Sequence, residues 1–226
     1  MKKEISNLLD NYSLSKSTNS LGPWTDNRAL LVKQLSKNKI TADVACGSGD
    51  FSILSAQSGA IKCISFDARP LHETFFTKAS EYQVAEKIFY HQTDLRDLKQ
   101  CKHLISEAEV IFYYGHLYHS TNHFETIRTF SETSCRDLVI DSMFQANNDI
   151  EQLKYSMIYC EVERTSDWWM AYDTKLPQLF IGMPNLHWVI QALSALGWTP
   201  KVVSYGEHTV ARTGGKKIRY TVHATR

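Results

Sequence analysis

The sequence predicts an α/β fold, a doubly wound and mostly parallel seven-stranded sheet with a C-terminal antiparallel hairpin strand and a cap insertion after the fifth strand. Three observations carry this expectation. Between residues 40 and 142, short apolar runs alternate with helical stretches, the pattern of parallel βαβ units. A glycine-rich turn, Gly47-Ser48-Gly49, follows the first run, where a buried strand must pass sharply into a helix. A second glycine pair, Gly214-Gly215, separates HTVAR from KIRYTVHAT, two segments that read as strands folded back on one another.

The elements follow in order. Residues 11–23 are rich in Ser and Asn and close on Gly22-Pro23, so residues 1–24 read as an N-terminal flap. Thr25 or Asp26 caps a helix over NRALLVKQLSK, where Leu30, Leu31 and Leu35 recur at helical spacing. Strands are placed near 40–45, 61–66, 87–91, 109–114 and 137–142, with helices near 50–58, 71–83, 94–103 and 121–133. The rhythm breaks after Asp141, and residues 143–184 read as the cap. Asn185 then begins an amphipathic helix, LHWVIQALSAL, that stops at Gly197. No internal repeat or long linker divides the chain, which is read as one domain over residues 1–226.

Composition bounds the partners. With 43% hydrophobic side chains in 226 residues, the chain has enough apolar mass for one sizeable core. Lys and Arg number 25 against 24 acids, so no global field favours a polyanion, and a small molecule is the expected partner. The first twenty residues lack the apolar run of a signal peptide, and no 18-residue apolar stretch follows. Five cysteines without a CxxC pair fit free thiols. Together these point to a cytoplasmic protein with no membrane partner.

The most informative segment is Asp43-Val44-Ala45-Cys46-Gly47-Ser48-Gly49-Asp50-Phe51. Glycines 47 and 49 remove side chains so that a ligand can approach the backbone. Asp67 closes the next apolar run, 24 positions beyond Asp43, at the carboxyl end of the adjacent strand, where open α/β sheets bind ligands. Its two oxygens can accept both hydroxyls of a ribose. A dinucleotide site uses similar parts, but Ser52 stands where the third glycine of that fingerprint belongs. Asp43, before the turn, suits a ligand carrying positive charge rather than pyrophosphate.

DVACGSGDF resembles the first motif of the class I S-adenosylmethionine-dependent methyltransferases, commonly an acid followed by three glycines at alternate positions. Ala45 replaces the first of these glycines. The resemblance runs from about residue 25 to the end in element order. It implies S-adenosylmethionine as the cofactor, held by Asp43, Ala45, Gly47, Gly49 and Asp67, the last as the ribose acid. It also implies Asp94, in YHQTDLRDL, as an adenine-side contact, although a helix N-cap explains Asp94 nearly as well.

The fourth run, EVIFYY, leads into Gly115-His116-Leu117-Tyr118-His119. The GHLYH segment resembles one in methyltransferases acting on small molecules, sugars and transfer-RNA uridines. His116 and His119 are the catalytic candidates, since imidazole titrates near neutral pH and can take the acceptor's proton; packing or substrate orientation is the other reading. His123 lies nearby, but no second cluster of ligands supports a metal site, and none is expected. In the cap, Glu161 and Glu163 alternate on a strand ahead of Trp168, Trp169 and Tyr172, a set that could box a sugar or an amine or simply pack. Asp141, Arg164, Tyr12, Trp24 and Arg28 are further pocket candidates, Arg28 as a carboxylate holder or equally as a solvated side chain.

The expected activity is methyl transfer to a small-molecule acceptor, with a sugar or metabolite hydroxyl as the favoured group. A transfer-RNA methyltransferase is the alternative kept open by a basic patch of Arg212, Lys216, Lys217 and Arg219. A non-transferring binder or lyase of S-adenosylmethionine is the third reading. The oligomeric state is left open.

Overall fold

A computed structural model describes residues 23–70, 73–93, 95, 98–145, 157–162, 178–209 and 216–226. Its strands are β1 (Ile40–Val44), β2 (Lys62–Asp67), β3 (Ile88–Gln92), β4 (Val110–Tyr114), β5 (Asp137–Gln145), β6 (Met157–Val162), β7 (Gln178–Met183), β8 (Thr199–Thr209) and β9 (Lys216–Thr225). Seven of them form one sheet in the order β3-β2-β1-β4-β5-β9-β8. The five from β3 to β5 are parallel, while β9 runs antiparallel to both β5 and β8. The Gly214-Gly215 turn lies outside the described residues, but the strands flanking it pair as the hairpin reading requires, with Thr209 opposite Lys216.

The central parallel strands are covered on both sides, and β4 shows how the sequence encodes this. Val110, Phe112 and Tyr114 face a cluster with Leu31, Val32 and Val139, whereas Ile111 and Tyr113 join the larger core with Ile127, Phe130, Val189 and Trp198. A strand buried on both faces reads as a continuous apolar run. The covering helices are α1 (Pro23–Leu35), α2 (Asp50–Gln57), α3 (Glu73–Glu81), α4 (Lys102–Ile105), α5 (His123–Ser131) and α6 (Leu186–Ala195). As the sequence indicates, α6 is capped by Asn185, whose side chain accepts the Trp188 amide at 2.8 Å.

Three boundaries depart from expectation. Helix α1 begins at Pro23, ahead of Thr25 and Asp26, because a proline in the first helical turn gives up no intrahelical hydrogen bond. The helix expected over 94–103 is a 3-10 turn, Leu98–Cys101, followed by the four residues of α4. Strand β5 continues to Gln145, into the expected cap, because β9 pairs with it along all nine residues.

Beyond β5, β6 and β7 pair as a separate antiparallel ribbon. The ribbon is tied to the loop after β4: the Gly182 amide donates to the Ser120 carbonyl at 2.9 Å, and His123 Nε2 lies 2.9 Å from the Gly182 carbonyl oxygen. Any Cβ at position 182 would fall 2.5 Å from His123 Cε1 and 3.1 Å from the Ser120 oxygen. Gly182→Ala is therefore expected to destabilise the protein by about 2 kcal/mol through overpacking, read from the urea midpoint.

Candidate active site at the carboxyl ends of the parallel strands

The turn after β1 is built on backbone dihedrals that side chains disfavour. Ala45, Gly47 and Gly49 have φ of 66°, 59° and 77°, so the chain reverses from strand to helix within five residues. Ala45 accepts a conformation that costs an L-residue about 1–2 kcal/mol. Gly49 is constrained twice, since a Cβ there would sit 2.0 Å from Cε2 of the buried Phe75 on α3.

Two carboxylates underlie this turn in contrasting surroundings. Asp43 is buried, and its Oδ2 accepts the Ser52 hydroxyl at 2.6 Å, which in turn accepts the Ser65 hydroxyl at 2.9 Å. Ser52, read from the sequence as a missing glycine, is thus the partner that lets an acid sit beneath the turn. Burial raises the Asp43 carboxyl to about 7, with the charge of Asp67 adding and the Ser52 hydrogen bond opposing.

Asp67, at the end of β2, receives the Gly47 amide on Oδ2 at 2.8 Å. The turn after β1 is thereby tied to the neighbouring strand. Arg69 also grips Asp67: its amide and Nε reach Oδ1 at 3.0 and 2.9 Å, and Nη2 reaches Oδ2 at 3.2 Å. The same Nη2 would lie 3.3 Å from a Cβ at Gly47, so the guanidinium lies against the glycine turn. No sequence pattern singled out Arg69, although its place two residues after the acid is the one signal that could have.

The segment after β4 brings the two histidines together. His116 Nδ1 lies 2.8 Å from Tyr113 Oη, and the His116 and His119 rings are 6.3 Å apart. The His119 ring is tilted against Tyr118, at 4.3 Å between ring centroids. Burial, reinforced by His116 and Lys217, lowers the His119 pKa to about 3, so its imidazole stays neutral at neutral pH. His123 does not join them but packs beside Trp188 and the ribbon. Among the described residues, no group of three His, Cys, Asp or Glu side chains could hold a metal ion.

Asp141, midway along β5 and opposite Tyr114 at the end of β4, is fully buried. Arg219 reaches it from β9, with Nε at 2.9 Å from Oδ1 and Nη2 hydrogen-bonded to the same oxygen, and Thr221 donates to Oδ2 at 3.0 Å. Arg28 Nη1 lies 3.6 Å from Oδ1, its guanidinium above Phe51 and Tyr114 at 5.2 and 5.8 Å from their ring centroids. Arg219, grouped by sequence with a surface basic patch, instead points inward. Asp94, Tyr12, Glu163, Arg164, Trp168, Trp169, Tyr172 and Arg212 lie outside the described residues, as do the side chains of Trp24, Glu161 and Lys216.

No family model and no curated protein matches the sequence. Solved structures do match the fold. One is the N-terminal domain of EvdMO1 with S-adenosylhomocysteine bound, at TM-score 0.64 and 12% identity over 100% of this chain and 97% of that one. Another is the 1,6-didemethyltoxoflavin-N1-methyltransferase of Burkholderia thailandensis, at TM-score 0.56 and 13% identity over 100% and 87%. The chain has the fold of the class I S-adenosylmethionine-dependent methyltransferases. The antiparallel β9 beside β5 separates this methyltransferase fold from the all-parallel dinucleotide sheet, against which the sequence had to be weighed. The 4+2 cyclase SpnF shares the fold, at TM-score 0.57 and 12% identity over 94% and 85%, so the fold does not dictate the reaction.

Two predictions concern the turn. Gly49→Ala is expected to cost about 3 kcal/mol, combining left-handed strain with the clash on Phe75, measured by denaturant unfolding. Folding moves the Asp43 carboxyl from 3.8 up to about 7, so the unfolded chain releases this proton first. The stability this group supplies is complete below about pH 4 and falls as pH rises toward 7. Asp43→Asn should remove that fall, so its urea midpoint relative to wild type should climb across this window.

Proposed function

We propose that the chain binds S-adenosylmethionine over the carboxyl ends of β1, β2 and β4 and transfers its methyl group to a small-molecule acceptor. The observation that carries the reading is the buried Asp67 carboxylate bonded to the amide of the left-handed Gly47 turn, on a methyltransferase fold. The residues fit such a cofactor. Asp67 offers two acceptor oxygens for the ribose hydroxyls, and the bare backbone of Gly47 allows close approach. Gly49 and Ala45 hold the turn in shape, and Asp94 is assigned to the adenine side. Asp43, beneath the turn, acts by position.

When bound, the cofactor supplies a methyl group on a sulfonium. The chain's own contribution is to orient an acceptor in line, exclude water and dispose of a proton. His116 and His119 flank the end of β4 and are assigned to the acceptor. A neutral His119 of low basicity suits accepting a hydrogen bond and orienting a hydroxyl. The balanced charge of the chain favours a small acceptor over transfer RNA, and the inward turn of Arg219 removes one cation from the patch that kept RNA in view. A sugar or metabolite hydroxyl is the acceptor group we favour.

Arg69 has a direct part in this reading, since it occupies the carboxylate oxygens that a ribose would engage. Calorimetric titration with S-adenosylhomocysteine tests both points. Asp67→Ala should weaken binding by at least about tenfold, the loss of hydrogen bonds to a charged group. Arg69→Ala should leave binding intact or tighten it several-fold. Absence of binding to the wild-type protein would sink the proposal, and breakdown of S-adenosylmethionine without an acceptor would favour a non-transferring reaction.

A further inference from the structure

The end of β4 holds a buried hydroxyl whose hydrogen has one place to go. Tyr113 is 0% exposed. Its ring stands in the larger core with Ile127 and meets Phe130 edge-on, at 5.3 Å between centroids. Among the described residues, its hydroxyl has a single hydrogen-bond partner, His116 Nδ1 at 2.8 Å. Burial drives the Tyr113 pKa up, so the phenol keeps its hydrogen. A buried donor left without an acceptor is costly.

Backbone geometry brings the two side chains together. Gly115, at φ 70°, reverses the chain in the left-handed region directly after the strand. His116 then caps a 3-10 turn over Leu117–His119, and the His119 amide donates to the His116 carbonyl at 2.8 Å. Leu117 is fully buried in the same core as Tyr113. The His116 ring is thereby set beside Tyr113, tilted by 54° at 5.7 Å between centroids. In a continuing strand, residues 113 and 116 would point to opposite faces. The reversal at Gly115 is what lets them meet.

We infer that Tyr113 is a positioning residue that donates to Nδ1 of His116 and fixes the ring hydrogen on Nε2, making His116 a hydrogen-bond donor to the methyl acceptor and not a base. This rests on the methyl-transfer reading for the acceptor, but the tautomer stands on the Tyr113–His116 pair itself. The reverse arrangement, with Nδ1 donating to the phenol oxygen, leaves the Tyr113 hydrogen without an acceptor. A doubly protonated ring does the same. In a neutral imidazole one nitrogen donates and the other accepts, so occupying the Nδ1 lone pair determines the role of Nε2. The neutral His119, 6.3 Å away between centroids, offers the complementary lone pair. That separation leaves room for one oxygen hydrogen-bonded to both rings, at about 2.8 Å from each. A hydroxyl meets both demands, accepting from one ring and donating to the other, whereas an ether or a tertiary amine has no hydrogen to give. The pair thus holds a hydroxyl in place before transfer.

Two-bond proton–nitrogen correlation spectra of the free, isotope-labelled protein at neutral pH read the tautomer, because a ring nitrogen bearing a hydrogen and one bearing a lone pair resonate far apart. Nε2 is recognised by its coupling to both ring hydrogens, and His116→Gln identifies the signals by their loss. His116 should carry its hydrogen on Nε2 by at least about tenfold over Nδ1, the scale of one buried hydrogen bond. Its Nδ1 resonance should be displaced toward the protonated range by the bond it accepts. Tyr113→Phe keeps the ring and its packing, and should return Nδ1 to the position of an unbonded lone pair; a merely structural tyrosine would leave it unmoved. Hydrogen on Nδ1, a doubly protonated ring, or an Nδ1 resonance unchanged in Tyr113→Phe would overturn the assignment. Should Tyr113→Phe fail to fold, the wild-type Nδ1 resonance decides, displaced in support or undisplaced against. If the wild type does not bind S-adenosylhomocysteine, the methyl-transfer reading falls separately, and the spectrum of the free protein still decides the role of Tyr113.

Discussion

The backbone reversal from Ala45 to Gly49 is the constraint around which the site is arranged. Three left-handed residues alternate there, and each odd position meets a different demand. At 45 the chain leaves the buried strand, at 47 its amide is delivered to Asp67, and at 49 it admits Phe75. The ends of β1 and β2 and the start of α2 are thus locked together by one short loop. A ligand spanning those ends meets a surface made before it arrives, which lowers the ordering cost of binding.

Two acids of the same type take opposite characters from their surroundings, a recurring way for one fold to divide chemical labour. Asp43 is sealed from solvent with a hydroxyl chain as its partner, and burial pushes its carboxyl up to about 7. Asp67, also buried, accepts instead from a guanidinium and two backbone amides. A second set of hydroxyls joins Ser55 of α2 to Thr41 and Ser36 at 2.8–2.9 Å. Helix α2 therefore rests on the sheet through small polar contacts as well as apolar ones.

Much of the architecture was legible because periodicity and punctuation agree. Strands buried on both faces must be continuously apolar, and the acid pair 43 and 67 marks two adjacent strand ends whatever the loops do. What escaped was side-chain pairing across the sheet. Arg219 and Asp141 are 78 residues apart, and only the antiparallel register of β9 on β5 sets them on one face. Alternation along β9 groups Lys217, Arg219 and Thr221 without saying whether that face is wet or buried. Arg69 escaped for a different reason, since a cation two residues from an acid is ordinary at a surface and becomes informative only when the acid is known to be enclosed.

The contact of Phe75 with Gly49 has a consequence for how this protein can change. The space that a side chain at 49 would need is already filled by a ring from another helix, so the two positions are not independent. A larger residue at 49 is tolerable only on a background where 75 has shrunk, and a smaller residue at 75 opens a void over the loop unless 49 grows. Contacting positions of this kind couple energetically, so the route between the two pairings passes through a less stable intermediate. The loop that shapes the site is thereby held to its present form by a barrier in sequence space as much as by its own geometry.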